Sequence, residues 1–246
     1  MQKYNTNGCI PQEKDVRDYL FAEIAQPGSI LPATDLRVKC SHIENQGALG
    51  SCVYNAAIGA LEYLEIKSGE SFIDKSRLFA YYCGRADMNK VEEDCGDTIR
   101  HAMKILADYG TCNELLWEYD VKKFADRPPV ECYVDAIDHQ ITAYYAVKSI
   151  NAIRKCLSEN YPVVFGAKLF PQFENVGRSG IVVKPVCGKQ SIGNHAMLIV
   201  GHNDDIHRFI VRNSWGISWG DSGYCYISYN YLKQYGFDYW TIRKEN

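Results

Sequence analysis

The hydrophobic pattern changes near the middle of the chain, and this change constrains the possible folds most. From Cys52 to Ser68 apolar residues recur at helical spacing, and Gly69 offers a C-terminal stop. Two further stretches, SRLFAYYCGRADM and DTIRHAMKILADYG, also read as helices. After Pro128-Pro129 come short β-branched and aromatic runs bounded by turn residues: ITAYYAVKSI, PVVFGAKLF, GIVVKP, HAMLIVGHND, RFIVRNSW and GYCYISYNYL, with one short helix, NAIRKCLSENY. A helical half followed by a strand-rich half predicts an α+β protein of two lobes, with the binding cleft between them.

The same change divides the chain into three parts. Residues 1–38 carry turn signals at Pro11, Pro27 and Pro32 and read as an extended N-terminal strap. Residues 39–125 form the predicted helical lobe, and residues 126–246 form the strand-rich lobe. We expect the two lobes to make up one catalytic domain.

Charge and hydropathy exclude several classes of partner. The net charge of −3 provides no basic surface for nucleic acid or for an acidic membrane. The longest apolar runs are too short to span a bilayer, and the N-terminal stretch MQKYNTNGCIPQEKDVRDYL lacks an apolar core of signal-peptide length. We therefore expect no nucleic acid or membrane partner, and an intracellular (cytoplasmic) protein or one packaged in a particle such as a virion. The oligomeric state stays open.

The ten cysteines contain no CxxC pair, the spacing in which structural zinc sites usually take their ligands. A disulfide framework is the alternative for an even count of cysteines, but it belongs to secreted chains. We therefore expect mostly free, buried thiols and no metal.

One cysteine stands at a junction between a loop and a helix. Cys52 lies at the start of the predicted helix, where the macrodipole and unpaired N–H groups favour the thiolate. His195 begins a predicted strand after a Gly-rich loop, and Asn213 ends the next strand, followed by Trp215. An imidazole from one lobe would pair with the thiolate of the other, with Asn213 orienting the ring and Trp215 shielding it. The alternative is a capping cysteine and a structural histidine.

Three strings carry a family resemblance. NQGALGSC, NHAMLIVG and NSWGISWGDSGYCYI resemble the nucleophile, histidine and asparagine blocks of papain-like cysteine proteases, and the match spans roughly residues 34–232. The resemblance implies a two-lobe fold with an antiparallel, β-barrel-like C-terminal lobe. It also implies Cys52 as nucleophile, His195 as general base and acid, Asn213 as the group that orients His195, and Gln46 as oxyanion donor.

The resemblance also implies where a substrate binds. Gly166 and Ala196 would leave space for a bulky apolar side chain, and Asp97 either favours a basic side chain or is a solvated loop carboxylate. The implied substrate-binding residues are Gly96, Asp97, Thr98, Gly166, Asn194, Ala196 and Trp215.

This chain departs from the pattern of the secreted members of the family. Leu49 stands where a half-cystine is usual, Val53 replaces a Trp, and Asp97 replaces a Gly. These departures fit a reducing compartment and the short bacterial and large-virus branch that lacks a long propeptide. The N-terminal strap is short for such a pro-domain, so we expect it to lie along the strand-rich lobe and not to be a removable inhibitor.

Together these features predict a cysteine endopeptidase that acts through an acyl-enzyme on an extended polypeptide, without a metal or organic cofactor. Two alternatives remain. The same acyl-enzyme would pass to an amine in a transpeptidase or ligase, and an occluded cleft would make the protein an inactive, protease-like binding module.

Overall fold

The computed structural model describes residues 4–186 and 188–244, and these residues form six α-helices and seven β-strands. The N-terminal half is helical, as its periodicity predicts. Its helices are α1 (Cys52–Ser68), α2 (Arg77–Asp87) and α3 (Ile99–Asp108). The hydroxyls of Ser76 and Thr98 cap α2 and α3 by accepting backbone hydrogen bonds.

Helix α1 is the centre of the molecule. It is buried on all sides from Cys52 to Glu65, which is typical of a core helix and not of an amphipathic surface helix. Its small residues allow this burial. A Cβ at Gly59 would lie 2.5 Å from Nη1 of Arg212 in the sheet, so the helix packs directly onto the strand-rich lobe.

The second half forms the predicted antiparallel sheet. Six strands follow the order β2-β7-β3-β4-β5-β6, and β1 pairs with β4 beside this path. Within the described residues β2 and β6 stand at the two ends of the order, so the sheet is open and not a closed barrel. The strands are β1 (Ala33–Asp35), β2 (Ala143–Val147), β3 (Val163–Leu169), β4 (Gly193–Asn203), β5 (Arg208–Arg212), β6 (Tyr224–Ser228) and β7 (Gly236–Arg243).

Several details differ from the sequence prediction. The run GIVVKP makes a single bridge, Ile181 to Tyr226, and no strand. The last predicted strand stops at Ser228, whose hydroxyl caps α6 (Tyr229–Tyr235), and β7 then follows. Helix α4 (Val130–Ala136) begins directly after the two prolines, because proline is well tolerated at a helix start. The short helix predicted in this half is α5 (Ile150–Ser158).

The N-terminal strap has two parts. Strand β1 pairs with β4, and Leu20 bridges Ala146, so the later part lies along the strand-rich lobe as expected. The expectation is wrong for residues 4–12. This cleft segment lies between the lobes, because pairing with both lobe edges satisfies its backbone groups.

The described cysteines are free, and seven of them are buried; Cys187 lies outside the described residues. None of the helices formed by the described residues has the length and apolar character needed to cross a bilayer.

Candidate active site

The predicted nucleophile lies where the two lobes meet. Cys52 is the first residue of α1 and is fully buried. Its Sγ accepts a hydrogen bond of 3.5 Å from the backbone N–H of Ala196 in β4. The thiol of the helical lobe therefore sits beside the residue that directly follows His195.

The His195 ring is held in one orientation. Its Nε2 lies 2.8 Å from Oδ1 of Asn213, and the same Oδ1 accepts the backbone N–H of Ser214 at 2.8 Å. An amide oxygen only accepts, so Nε2 carries the hydrogen. The other ring nitrogen, Nδ1, is buried and has no hydrogen-bond partner among the described residues. In the neutral ring this nitrogen is the proton acceptor.

An aromatic cluster covers the His195–Asn213 pair. The Trp215 ring lies 4.8 Å from the His195 ring between centroids and is buried. Phe173 and Trp219 pack against Trp215 at 5.7 and 5.3 Å. Trp215 therefore lies where the sequence predicts it, beside the His195–Asn213 pair, and its shielding of that hydrogen bond stays a prediction. The sequence analysis did not indicate Phe173, which ends a 3-10 helix, Pro171–Phe173, that follows β3.

Gln46 is fixed in the loop that precedes Cys52. Its Nε2 donates to the Leu49 carbonyl at 2.9 Å, and its Oε1 accepts the Ser214 hydroxyl at 2.5 Å. One Nε2 hydrogen remains for a ligand. Ser214 thus orients both Asn213 and Gln46, a role missed from the sequence although the residue lies inside the asparagine motif.

Burial controls the charge of the pair in this state. It raises the pKa of Cys52 to about 12, and the backbone N–H groups of Ala196 and Val53 lower it by less. Burial also lowers the pKa of His195 to about 4, against a smaller rise from the Asn213 hydrogen bond. A helix terminus stabilises the thiolate by only about 0.3–2 kcal/mol, and the desolvation penalty of burial is larger. Burial therefore favours the neutral thiol and the neutral imidazole in this arrangement, and the thiolate–imidazolium pair stays a prediction for the open cleft.

The cover is the cleft segment itself. A Cβ on Gly8 would lie 2.4 Å from the Gly50 carbonyl oxygen and 2.9 Å from Sγ of Cys52. Tyr4 stacks on Trp215 with ring centroids 4.4 Å apart and planes within 8°. Residues 4–12 therefore occupy the space above the thiol from which a substrate would approach.

The cleft segment pairs with both lobe edges. On the helical side Asp97 N–H donates to Gly8 O at 3.0 Å, and Ile10 N–H donates to Asp97 O at 2.9 Å. On the other side Cys9 N–H donates to Asn194 O at 3.4 Å. Gly96 has φ 66°, and a Cβ there would meet Gly8 O at 2.6 Å, so this close approach requires glycine.

Asp97 differs from both sequence interpretations. Its carboxylate is buried and accepts hydrogen bonds from the Tyr54 hydroxyl at 2.6 Å and the Thr98 N–H at 2.7 Å. It also lies 2.7 Å from Nδ1 of His101, and this contact, the largest influence, raises the pKa of that histidine. The carboxylate therefore neither favours a basic substrate at the entrance nor is solvated, and only the Asp97 backbone faces the cleft.

The remaining implied substrate residues divide into two groups. Asn194, Ala196 and Trp215 lie at the thiol or on the cleft segment, as described above. Thr98 caps α3 through its hydroxyl. A Cβ on Gly166 would lie 2.3 Å from the Phe237 ring, so this ring fills the space expected beside Gly166. The sequence did not indicate Phe237, because β7 was not predicted.

Similar proteins are known. The family model described as papain family cysteine protease matches residues 31–242. An uncharacterized peptidase C1-like protein of Acanthamoeba polyphaga mimivirus is 37% identical over 214 residues, covering 81% of this chain and 69% of that protein. The chain spans only 51–62% of the length of several other curated relatives.

Solved structures agree with this assignment. Xylellain, a cysteine protease from Xylella fastidiosa, superposes with a TM-score of 0.90 at 30% identity, covering 100% of this chain and 98% of that one. The Carica candamarcensis cysteine protease CMS1MS2, solved in complex with E-64, has a TM-score of 0.68 at 22% identity, covering 88% and 100%, and shows the shared fold. The bacterial and large-virus similarities support the short branch. The chain belongs to the papain family of cysteine proteases, which are hydrolases.

Proposed function

We propose that this protein is a cysteine-type endopeptidase in which Cys52 and His195 carry the chemistry. The observation that carries the proposal is the pairing across the lobes. Ala196 N–H contacts Sγ of Cys52, and the adjacent His195 has its Nε2 fixed by Asn213. Among the described residues Nδ1 of His195 has no hydrogen-bond partner, so it is free to act as the base for the thiol that the neighbouring Ala196 contacts.

The reaction begins once the cleft segment has left. A polypeptide substrate then lies extended along the backbone edges of Gly96–Asp97 and Asn194, whose N–H and C=O groups are released. Sγ of Cys52 attacks the substrate carbonyl carbon, while the thiol proton passes to Nδ1 of His195. Loss of the cover also removes part of the burial that keeps the pair neutral, so the ion pair becomes accessible.

Two hydrogen-bond donors stabilise the negative charge that develops on the substrate carbonyl oxygen. The backbone N–H of Cys52 and the free Nε2 hydrogen of Gln46 fit this role, and one such donor lowers the barrier by about 3 kcal/mol. Nδ1–H of His195 then protonates the leaving amine as the C–N bond breaks, leaving a thioester at Cys52. Water attacks this acyl-enzyme, giving up a proton to Nδ1, and the acid product leaves.

In the closed arrangement Cys52 cannot cleave the cleft segment that covers it. A Cβ on Gly8 would lie 2.9 Å from Sγ, so this residue lies close to the thiol, yet its carbonyl oxygen accepts the Asp97 N–H and not the oxyanion donors. No peptide bond at Gly8 is therefore placed for attack. We infer a latent form, opposite to the sequence expectation, and expect activity to rise when residues 1–12 are removed.

The central experiment compares the full chain with a chain that lacks residues 1–12. Both are assayed with a fluorogenic peptide panel and labelled with a thiol-directed epoxide under reducing conditions. We expect the shortened chain to hydrolyse and to be labelled, and Cys52→Ala to lose both properties. Cys40→Ala is the matched control, because that half-buried free thiol lies outside the cleft and its loss leaves both properties intact.

The occupied cleft favours one rival, the binding module. A shortened chain that is folded, reacts with the epoxide and cleaves no peptide would support that rival and contradict the endopeptidase. Adding an amine nucleophile to the assay separates hydrolysis from transpeptidation, since a ligase gives an amide product. We further propose a reducing setting, inside a cell or in a particle, because the described cysteines are free.

A further inference from the structure

Arg100 fastens the chain just after the point where it leaves the cleft. Its Nε and Nη2 donate to Oδ1 and Oδ2 of Asp18, both at 2.7 Å. Nη2 also donates to the Glu13 carbonyl at 3.0 Å, and the Arg100 backbone N–H donates to Oε1 of Gln12 at 2.9 Å. We call these four residues, Gln12, Glu13, Asp18 and Arg100, the latch.

The latch holds a closed loop against α3. Asp18 is 6% exposed in its side chain and Arg100 26%, so the bidentate pair is only partly open to water. Between Glu13 and Asp18 the chain is exposed. Arg17 there pairs only within the loop, with Asp15, and its side chain is 86% exposed. Among the described residues the Arg17–Asp15 ion pair therefore stays within the loop, whereas the Arg100–Asp18 ion pair joins the loop to the helical lobe.

The latch shortens the tether of the cleft segment, that is, the length of chain between this segment and its next fixed point. Beyond the latch the chain is fixed on β2, because the Ala146 N–H donates to Tyr19 O at 2.8 Å. With the latch closed, the movable chain ends at Gln12. With the latch open, and with the 2.8 Å bond from the Gln12 N–H to Oδ2 of Asp238 also released, it extends further along the chain, to Tyr19. A longer, freer tether lowers the effective concentration of the segment at the cleft.

The latch also differs from the other contacts of the segment. A bound substrate competes directly for the backbone groups of Asp97 and Asn194, which now hold Gly8, Cys9 and Ile10. It does not compete for Asp18 or Arg100, which lie outside these contacts. The latch therefore favours the closed state whether or not a substrate is present.

We propose that the Arg100–Asp18 pair sets the population of the closed state, so that the protease opens by reversible release of its cleft segment. This inference rests on the proposed function, whose active site it regulates. Arg100 acts through the segment and touches no reacting atom, so it is a positioning residue.

The test uses Arg100→Gln and Asp18→Asn in the full chain and in the chain lacking residues 1–12. Asp18→Asn removes the charge of the same pair, together with that of the longer 4.0 Å contact to Lys148, without altering α3. It covers the case in which the arginine variant folds poorly. Arg17→Gln is the matched control. Two rates are measured: hydrogen exchange at the Cys9 and Ile10 amides, and labelling of Cys52 by the epoxide.

We expect both latch variants to exchange and to be labelled about tenfold faster than the wild type in the full chain. Arg17→Gln should change neither rate by more than about twofold. In the shortened chain the latch variants should be labelled at the wild-type rate. The proposal is overturned if both latch variants exchange like the wild type, or if they accelerate labelling equally in full and shortened chains.

Hydrogen exchange separates this inference from the proposed function, because it needs no activity. An inactive, unlabelled shortened chain with faster exchange in the latch variants would overturn the endopeptidase and keep the latch. An active shortened chain with unchanged exchange would overturn the latch alone. Intact-mass measurement after the assay completes the test, since activity that appears only with chains cut at residues 13–18 would refute reversible opening.

Discussion

Replacing Gly8 by alanine should activate the full chain. The new Cβ would lie 2.4 Å from O and 2.7 Å from C of Gly50, and 2.9 Å from Sγ of Cys52. Two of these atoms belong to the backbone that leads into α1 and cannot rotate away. Gly8 does not adopt a left-handed conformation, so alanine adds no backbone strain there and acts through the clash alone.

The magnitude follows from the contacts that must give way. A carbon needs about 1 Å more separation from a carbonyl oxygen, so the segment must lift off Gly50. This movement stretches the 3.0 Å bond from Asp97 N–H to Gly8 O. Overpacking costs about 1–3 kcal/mol and a lost hydrogen bond about 1 kcal/mol. Together these costs destabilise the closed state by about 2–4 kcal/mol, which raises the open population about 30- to 700-fold.

The assay is kcat/KM of the full chain on a fluorogenic peptide, with the chain lacking residues 1–12 as the ceiling. Asn7→Ala is the control, because its side chain is exposed and the substitution adds no atom against Gly50. If the shortened chain is active while Gly8→Ala stays as slow as the wild type, the clash reasoning is wrong. A fall in kcat/KM of Gly8→Ala below the wild type would also refute it.

Three further predictions concern the site and its surroundings. In the shortened chain, Asn213→Ala should lower kcat about a hundredfold at similar KM, because the His195 ring loses its fixed orientation; an unchanged kcat would contradict that role. Gln46→Ala should lower kcat about 10²- to 10³-fold in the same chain, through loss of an oxyanion donor, and a change in KM alone would argue against it. Glu114→Gln should stabilise the full chain at pH 8 and not at pH 5. Burial raises the pKa of Glu114 to about 7 from the ordinary 4.5, and its Oε2 is buried without a partner among the described residues. Because the folded-state pKa is the higher one, this carboxyl lowers stability progressively as pH rises from about 4.5 to 7. The full shift corresponds to about 3 kcal/mol, which partial exposure reduces to about 1–2 kcal/mol. Urea unfolding at the two pH values measures the effect, and equal gains at pH 5 and pH 8 would contradict the titration.

Local patterns were sufficient for much of this molecule. Small and apolar residues after Cys52 predicted α1, and its observed end at Ser68 with Gly69 in the left-handed conformation matches the sequence signal. Alternating and β-branched runs likewise predicted the strands that hold His195 and precede Asn213. These features depend on neighbours close along the chain, so the local sequence is enough to predict them.

Other features depend on what comes close in space. β7 has no strong alternation, yet its pairing with β2 and β3 puts Phe237 against Gly166. The Asp97 carboxylate turns inward because Tyr54 and His101 offer it hydrogen bonds that the local sequence does not indicate.

The sequence by itself determined the proposed reacting groups: a cysteine at a helix terminus, and a histidine, an asparagine and a glutamine in motifs of the papain family. Only the tertiary structure decided their present state. Residues 4–12 lie over Cys52 and help to bury it, and burial shifts the pKa of Cys52 upward and that of His195 downward, towards neutral forms. Desolvation depends on every atom packed around a group, including a segment that is distant along the chain, and no local pattern records it.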